Sequence, residues 1–316
     1  MSKAELKKEM ARTKGNKCNL TNEVLPDDTS LFDTHRTIPK RKGGVYLVDN
    51  TNVVTPRAHM AVHKNLRIRE PELEILKGMV DDRRQVMKVV FKINNQLLAR
   101  KRHTDIMSEE TVNFLKQQLL PLEKKLEELT KPIAPYIRKM KNPLVTAALS
   151  VKGVGEITVA HCLVYIDLEK ADHASSLWSY CGLDKASHER YTKGKSGGGN
   201  KTLRTSLYTM AESQVRIKGA AYQNIYYQVK ERLYKSEKIV KSRPTEGDKM
   251  VEVAWKDTMP SHRHGAALRA VMKHFLADYW MVGRTLLGLP TSALYPEAIL
   301  GGTHRTIMPE ERGWAY

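Results

Sequence analysis

Leu149-Ser150-Val151-Lys152-Gly153-Val154-Gly155-Glu156, near the middle of the chain, is the stretch from which the rest is read. Apolar residues from Leu144 onward predict a helix before it. Ile157, Ala160, Leu163 and Ile166 repeat at helical spacing after it. Two glycines between short helices let the backbone turn tightly and bring N–H groups close to an anion, backed by the positive end of the second helix. A helix-hairpin-helix grips the sugar-phosphate backbone of DNA in this way, without reading bases. A plain turn between packed helices uses the same residues, so the motif does not decide the matter alone.

The same region closes on Lys193-Gly194-Lys195-Ser196-Gly197-Gly198-Gly199-Asn200-Lys201-Thr202-Leu203-Arg204, a glycine-rich basic loop feeding another helix. Lys185, Arg190, Lys193, Lys195, Lys201 and Arg204 face only one acid in this span, Glu189. A charge run is ordinarily a solvated surface. A one-signed run beside a phosphate-gripping turn favours nucleic acid instead. Across all 316 residues, Lys plus Arg number 53 against 35 Asp plus Glu, a formal charge of +18. That excess favours polyanions and salt-dependent binding. No stretch approaches the roughly 18 apolar residues of a spanning helix, and no apolar signal core opens the chain, so no membrane role is expected. Three cysteines, Cys18, Cys162 and Cys181, form neither a disulfide framework nor a Cys-x-x-Cys pair, and a reduced, cytoplasmic protein is expected.

Three motifs stand in order: Val151-Lys152-Gly153-Val154-Gly155, then Leu177-Trp178-Ser179-Tyr180-Cys181-Gly182-Leu183, then Ser196-x-x-Gly199-Asn200-x-x-Leu203-Arg204. Together they resemble the C-terminal domain of the insertion-sequence 110/116/902 transposases, bacterial serine recombinases guided by a structured RNA. The resemblance runs from about residue 73 to about residue 289. It implies a mainly α fold, a helical transposase domain with a helix-hairpin-helix, a coiled-coil-like segment and a small irregular or β N-terminal region. It implies DNA as partner, a structured guide RNA as a further one, pairing into a homodimer or higher oligomer through the coiled-coil segment, and a nucleoid-associated location. By the family's pattern Ser196 attacks the phosphodiester and stays covalently linked until strands are exchanged. The residues expected to hold the backbone are Lys152, Gly153, Gly155, Lys193, Lys195, Gly199, Asn200, Lys201 and Arg204. A serine hydroxyl is a poor nucleophile unless a base accepts its proton or cations stabilise the transition state. His188 is the nearby candidate base, and the loop cations supply the clamp.

The sequence departs from the family in two places. The basic pair that usually follows the serine is Gly197-Gly198. The family's N-terminal RNase-H-like domain, with four acidic metal ligands, needs roughly twice the residues present before position 70. Asp49 follows an apolar run, Val45-Tyr46-Leu47-Val48, as that fold's first ligand does, yet Arg57-Ala58 stands where a late Asp-Ala pair belongs. The metal-binding half is therefore expected to be absent or a stub. This chain shows no metal or cofactor set of its own, and Mg2+ enters only if another chain supplies the acidic site.

The organisation expected is residues 1–70, 71–140, 141–289 and a tail 290–316. Lysines and arginines from Lys3 to Lys17 predict a loose basic arm, and Pro26-Asp27-Asp28 and Lys40-Arg41-Lys42-Gly43-Gly44 predict turns. Residues 45–49, turn residues Asn50-Thr51-Asn52 and then Val53-Val54 predict a short strand or hairpin. Leu73, Leu76, Val80, Met87, Val90 and Leu97 predict a long helix. After the start signal Ser108-Glu109-Glu110, residues Val112, Leu115, Leu119, Leu122, Leu126, Leu129 and Ile133 step as a heptad seam, the pattern of a short coiled coil or of an intramolecular helical hairpin, and Pro121 interrupts it as two helices or one kinked helix. Tyr222, Tyr226, Tyr227 and Tyr234 lie among cations, where aromatics can stack bases but more often line a core edge. Residues 236–256 are polar and predict a loop; 264–287 predict a last helix. His262, His264 and His274 lack the acid or cysteine that would complete a metal set. Two functional readings remain: a transposase acting through Ser196, or a nucleic-acid-binding derivative that keeps the scaffold and cuts nothing.

Overall fold

The structure, a computed structural model, describes residues 3–19, 22–36, 51–55, 71–102, 107–184, 198–245, 249–291 and 307–316. It is mainly helical and divides into two compact units, Met1–Glu72 and Leu73–Tyr316.

In the first unit the expected loose arm is instead a helix, α1 (Lys3–Thr13). Its charges hid a buried pair, Met10 and Ala11. Ala11 packs with Cys18, Leu25, Phe32, Val53 and Val54 in a small core. The Lys7 ammonium is consumed locally, donating to the carbonyls of Phe32 at 2.6 Å and Thr29 at 3.1 Å. Strand β1 (Asp33–Arg36) pairs antiparallel with β2 (Thr51–Val54), Asp33 opposite Val54 and Arg36 opposite Thr51. Val53 and Val54 are thus in a strand as expected. Thr51 and Asn52, read as turn residues, are in it too, because the partner strand lies upstream at β1. Residues 40–50, Asp49 among them, and Arg57-Ala58 lie outside the described residues.

The second unit opens within α2 (Pro71–Arg102), which buries Leu76, Val80, Val90 and Ile93. Helix α3 (Glu109–Thr130) starts at Ser108, whose hydroxyl accepts from Thr111 N–H at 3.3 Å. It runs unbroken through Pro121. Proline removes one i→i−4 bond and would break a buried helix; here Pro121 and Gln117, whose carbonyl loses its donor, are both exposed to water. The break falls at residues 131–132, before α4 (Ile133–Lys139). Of the heptad seam only Ile133 is fully buried, while Val112, Leu115, Leu119, Leu122, Leu126 and Leu129 are half-buried within one chain. Arg83 Nε donates to Thr130 Oγ1 at 2.9 Å, tying α2 to the end of α3.

Helices α5 (Pro143–Ser150), α6 (Glu156–Tyr165), α7 (Ala174–Tyr180), α8 (Lys201–Arg216), α9 (Gln223–Tyr234) and α10 (Pro260–Leu286) make the main core. Helix α10 is its axis, packing on α5, α7, α8 and α9 with Leu268, Val271, Phe275, Tyr279 and Trp280 fully buried. Residues 236–256, expected as a loop, contain a hairpin of β3 (Ile239–Ser242) and β4 (Val251–Ala254). Its short alternation, interrupted by lysines and glutamate, left it looking merely polar. The C-terminal segment docks into the same core. Arg312 binds both carboxylate oxygens of the fully buried Asp278, at 2.6 and 2.7 Å. Trp314 Nε1 donates to Tyr222 Oη at 2.8 Å, and Tyr222 Oη donates to Asp278 at 2.7 Å. A buried carboxylate is tolerable only when paired and bonded in this way.

Candidate nucleic-acid interface

Two of the three motifs meet in space. Helix α7 ends in a turn at residues 181–183: Cys181 N–H donates to Leu177 O, and Leu183 N–H to Trp178 O at 2.8 Å. Helix α8 begins against it. Asn200 caps α8, its Oδ1 accepting from Leu203 N–H at 3.0 Å. The other end of that amide donates to Tyr180 Oη at 3.0 Å, and Asn200 N–H donates to Tyr180 O at 2.6 Å. Arg204 Nη1 donates to Gly182 O at 3.0 Å. Gly199 sits at φ +91°, and a Cβ there would come within 2.6 Å of Gly182 N. Only glycine satisfies both demands. Gly199, Asn200 and Arg204 thus weld α8 to the α7 turn, while Lys201 stays exposed on the first turn of α8.

The remaining motif is the connection from α5 to α6. Gly153 has φ +89°, and a Cβ would collide with the side-chain amide of Gln214. Gln214, on the last turns of α8 and 0% exposed, donates to Lys152 O at 3.1 Å and accepts from Tyr222 N–H at 2.9 Å. Gly153 is therefore explained by packing. Gly155 is not: its φ is −100° and a Cβ would meet nothing within 4 Å. It precedes the N-terminus of α6, where the Glu156 carboxylate accepts from its own N–H and Thr158 N–H donates to Gly155 O at 3.0 Å. Glu156 adds a negative charge there, but Arg138 binds it and holds its carboxyl below the usual range. Lys152 is exposed and its ammonium lies near Gly219.

The two contact points are not one pocket. Lys201 and Gln214 are thirteen residues apart on α8, which at 1.5 Å per residue is about 20 Å. Lys152, Gly153 and Gly155 gather at one end of α8; Gly199, Asn200, Lys201 and Arg204 gather at the other. Ser196, Lys193, Lys195, His188 and the rest of residues 185–197 lie outside the described residues. Residues 184 and 198, which flank that stretch, both belong to the α7–α8 junction.

Two cations missed in the sequence face this junction from α10. Lys273 Nζ lies 5.3 Å from the centre of the Trp178 ring, whose Nε1 donates to Lys273 O at 3.0 Å. Arg269, one turn earlier, is close enough to Arg204 for their charges to oppose each other. Their spacing of four residues is the available signal, on a helix whose longer apolar face dominates its pattern. Among the tyrosines, Tyr222 and Tyr226 are core residues, while Tyr227 and Tyr234 are exposed. Tyr234 is covered by the Arg263 guanidinium, 4.2 Å from its ring centre. His264 is held by Glu212 at 2.9 Å and Tyr226 at 2.7 Å, and His262 by Ser242. Among the described residues no three His, Cys, Asp or Glu side chains gather as a metal set, and no helix is long and apolar enough to cross a membrane.

Comparison with known families identifies one segment. Residues 145–228 match the model described as Transposase IS116/IS110/IS902 family. The match takes in the Gly-x-Gly turn, the α7–α8 junction and all of α8, and stops before α10. No curated protein matches the chain.

Proposed function

We propose that this chain, whose residues 145–228 are a transposase domain of the IS116/IS110/IS902 family, holds DNA by its backbone at both ends of α8 and cleaves it through Ser196. The observation that carries the reading is the α7–α8 junction. Gly199, Asn200 and one N–H of Arg204 fix the flanks of residues 185–197, so that a serine-bearing, cation-rich stretch starts and ends at a fixed base. In the proposed step the Ser196 oxygen bonds to phosphorus, the P–O bond to one flanking sugar breaks, and the departing sugar oxygen takes up the proton the serine releases. Lys193, Lys195 and Lys201 stabilise the charge that builds on the phosphoryl oxygens. The exposed turn at Gly155 before α6, with Lys152 beside it, holds the backbone as a helix-hairpin-helix does, the phosphate displacing the Glu156 carboxylate from the first N–H. A structured guide RNA and a second copy of the chain, paired through the half-buried seam of α3, belong to the same reading. Mg2+ is proposed to arrive with an acidic nuclease site on another chain and takes no part in the roles given to these residues.

The test is a protein–DNA adduct that survives denaturation, sought with terminal-repeat or junction DNA. Wild type is expected to form it and Ser196→Ala to bind DNA without forming it. If both bind and neither forms an adduct, with structured RNA and Mg2+ supplied, the chain is a DNA-binding derivative. The replacement of the family's basic pair by Gly197-Gly198 favours that second reading.

A further inference from the structure

We infer that Arg269 and Lys273 of α10, together with Arg204 of α8, form a clamp for a backbone phosphate of the bound DNA, set at the α7–α8 junction. The inference rests on the DNA-binding reading but assigns residues beyond the family-matched segment, on a helix that sequence reading treats as core.

Arg269 and Lys273 are four residues apart and so share one face of α10. The contact between Lys273 and Trp178 turns that face toward α7. Arg204, on α8, is pinned at the junction by its bond to Gly182 O and acts on Arg269 as a like charge. Three cations therefore converge on the junction. Among the described residues Arg269 has no hydrogen bond or ion pair, and Arg204 has a carbonyl but no carboxylate. Lys273 has the Trp178 ring at 5.3 Å and the opposing charge of Asp184, which accepts from Ser179 Oγ. All three are partly buried. Burial and mutual repulsion lower the proton affinity of Arg269 and Lys273, with Arg204 acting on Arg269 and Arg269 acting on Lys273.

One acid, Asp184, acts on Lys273, while Arg204 and Arg269 are left as like charges together in partial shelter from water. Three partly sheltered cations facing one acid suit a bound anion. The anion must be one that accepts several donors at once. A phosphodiester does: guanidinium forks match its oxygens bidentately, and Arg204 keeps N–H donors beyond the one given to Gly182. Lys273 adds a point charge beside them. A bound phosphate would cancel the repulsion, so binding and local stability are coupled.

The full chain would be titrated with a short DNA duplex, and with an RNA duplex of the same sequence, between roughly 50 and 200 mM KCl. Arg269→Gln and Lys273→Gln are each expected to lower the slope of log Kd against log salt by about 1 and to weaken DNA binding about five- to tenfold at the lower salt. Both are expected to leave the melting temperature unchanged or raised, since removing one cation relieves its neighbours. Arg269→Lys should keep the slope and lose part of the affinity. An unchanged slope in both Gln variants overturns the clamp, as does a lowered melting temperature with the slope preserved. If Lys152→Gln or Lys201→Gln still reduces the slope in that case, the general reading survives without it. A wild type that binds no DNA sinks the general reading instead. A slope change seen only with RNA overturns the assignment to DNA.

Discussion

Gly153 and Gly199 share a left-handed backbone and lie at opposite ends of α8, and each is required by what touches it. At Gly153 the neighbour is the buried Gln214 amide, at Gly199 the backbone of Gly182. Gly155, spaced like a motif partner of Gly153, has ordinary backbone and open space. Gly199→Ala is therefore expected to cost about 2–4 kcal/mol from positive φ and overpacking, a fall of roughly 5–15 °C in melting temperature. Gly155→Ala should cost at most about 1 kcal/mol, while weakening duplex binding by placing a methyl where a phosphate approaches. Calorimetry and binding on the two variants check this; equal stability losses would show that Gly155 too is only a packing residue. The motif residues could be found in the sequence because glycine and asparagine are forced by local geometry. The roles of Gln214, Arg269 and Lys273 could not, because their partners are 62, 65 and 95 positions away, at Lys152, Arg204 and Trp178.

At the scale of elements, strong periodicity was readable and short alternation was not. Long α2, the seam of α3 and the axis α10 follow from spacing alone. The β3–β4 hairpin and α1 were hidden by lysines that decorate, and at Lys7 even brace, an apolar face. Pro121 left two helices or one kinked helix open because sequence does not show that its helix face is solvated; Pro132, after Thr130, is where α3 stops. The seam itself remains half covered in one chain, which suits a second copy as its cover. Light scattering on the full chain is expected to give twice the 36.0 kDa chain mass, and Leu119→Glu the single mass with unchanged helical circular dichroism. A monomeric wild type, or a variant that stays dimeric, contradicts pairing through this seam.

For the whole molecule, the governing quantities are the excess of cations and where the fold puts them. The formal charge of +18 already pointed to a polyanion. The sequence could not show that the turn at Gly155 and the junction at Asn200, neighbours in the argument from motifs, stand about 20 Å apart along α8. Nor could it show that the C-terminal Trp314 and Arg312 complete the core through Tyr222 and Asp278, since nothing local marks a docking tail. A separation of about 20 Å corresponds to roughly six nucleotides of backbone at 3.4 Å each. Phosphate-ethylation interference on a DNA duplex at low ionic strength tests the account most directly. It predicts two clusters of sensitive phosphates about six base pairs apart, one lost in Lys152→Gln and the other in Lys201→Gln. A chain that ignores both DNA and RNA under those conditions, or whose interference is indifferent to both substitutions, contradicts it.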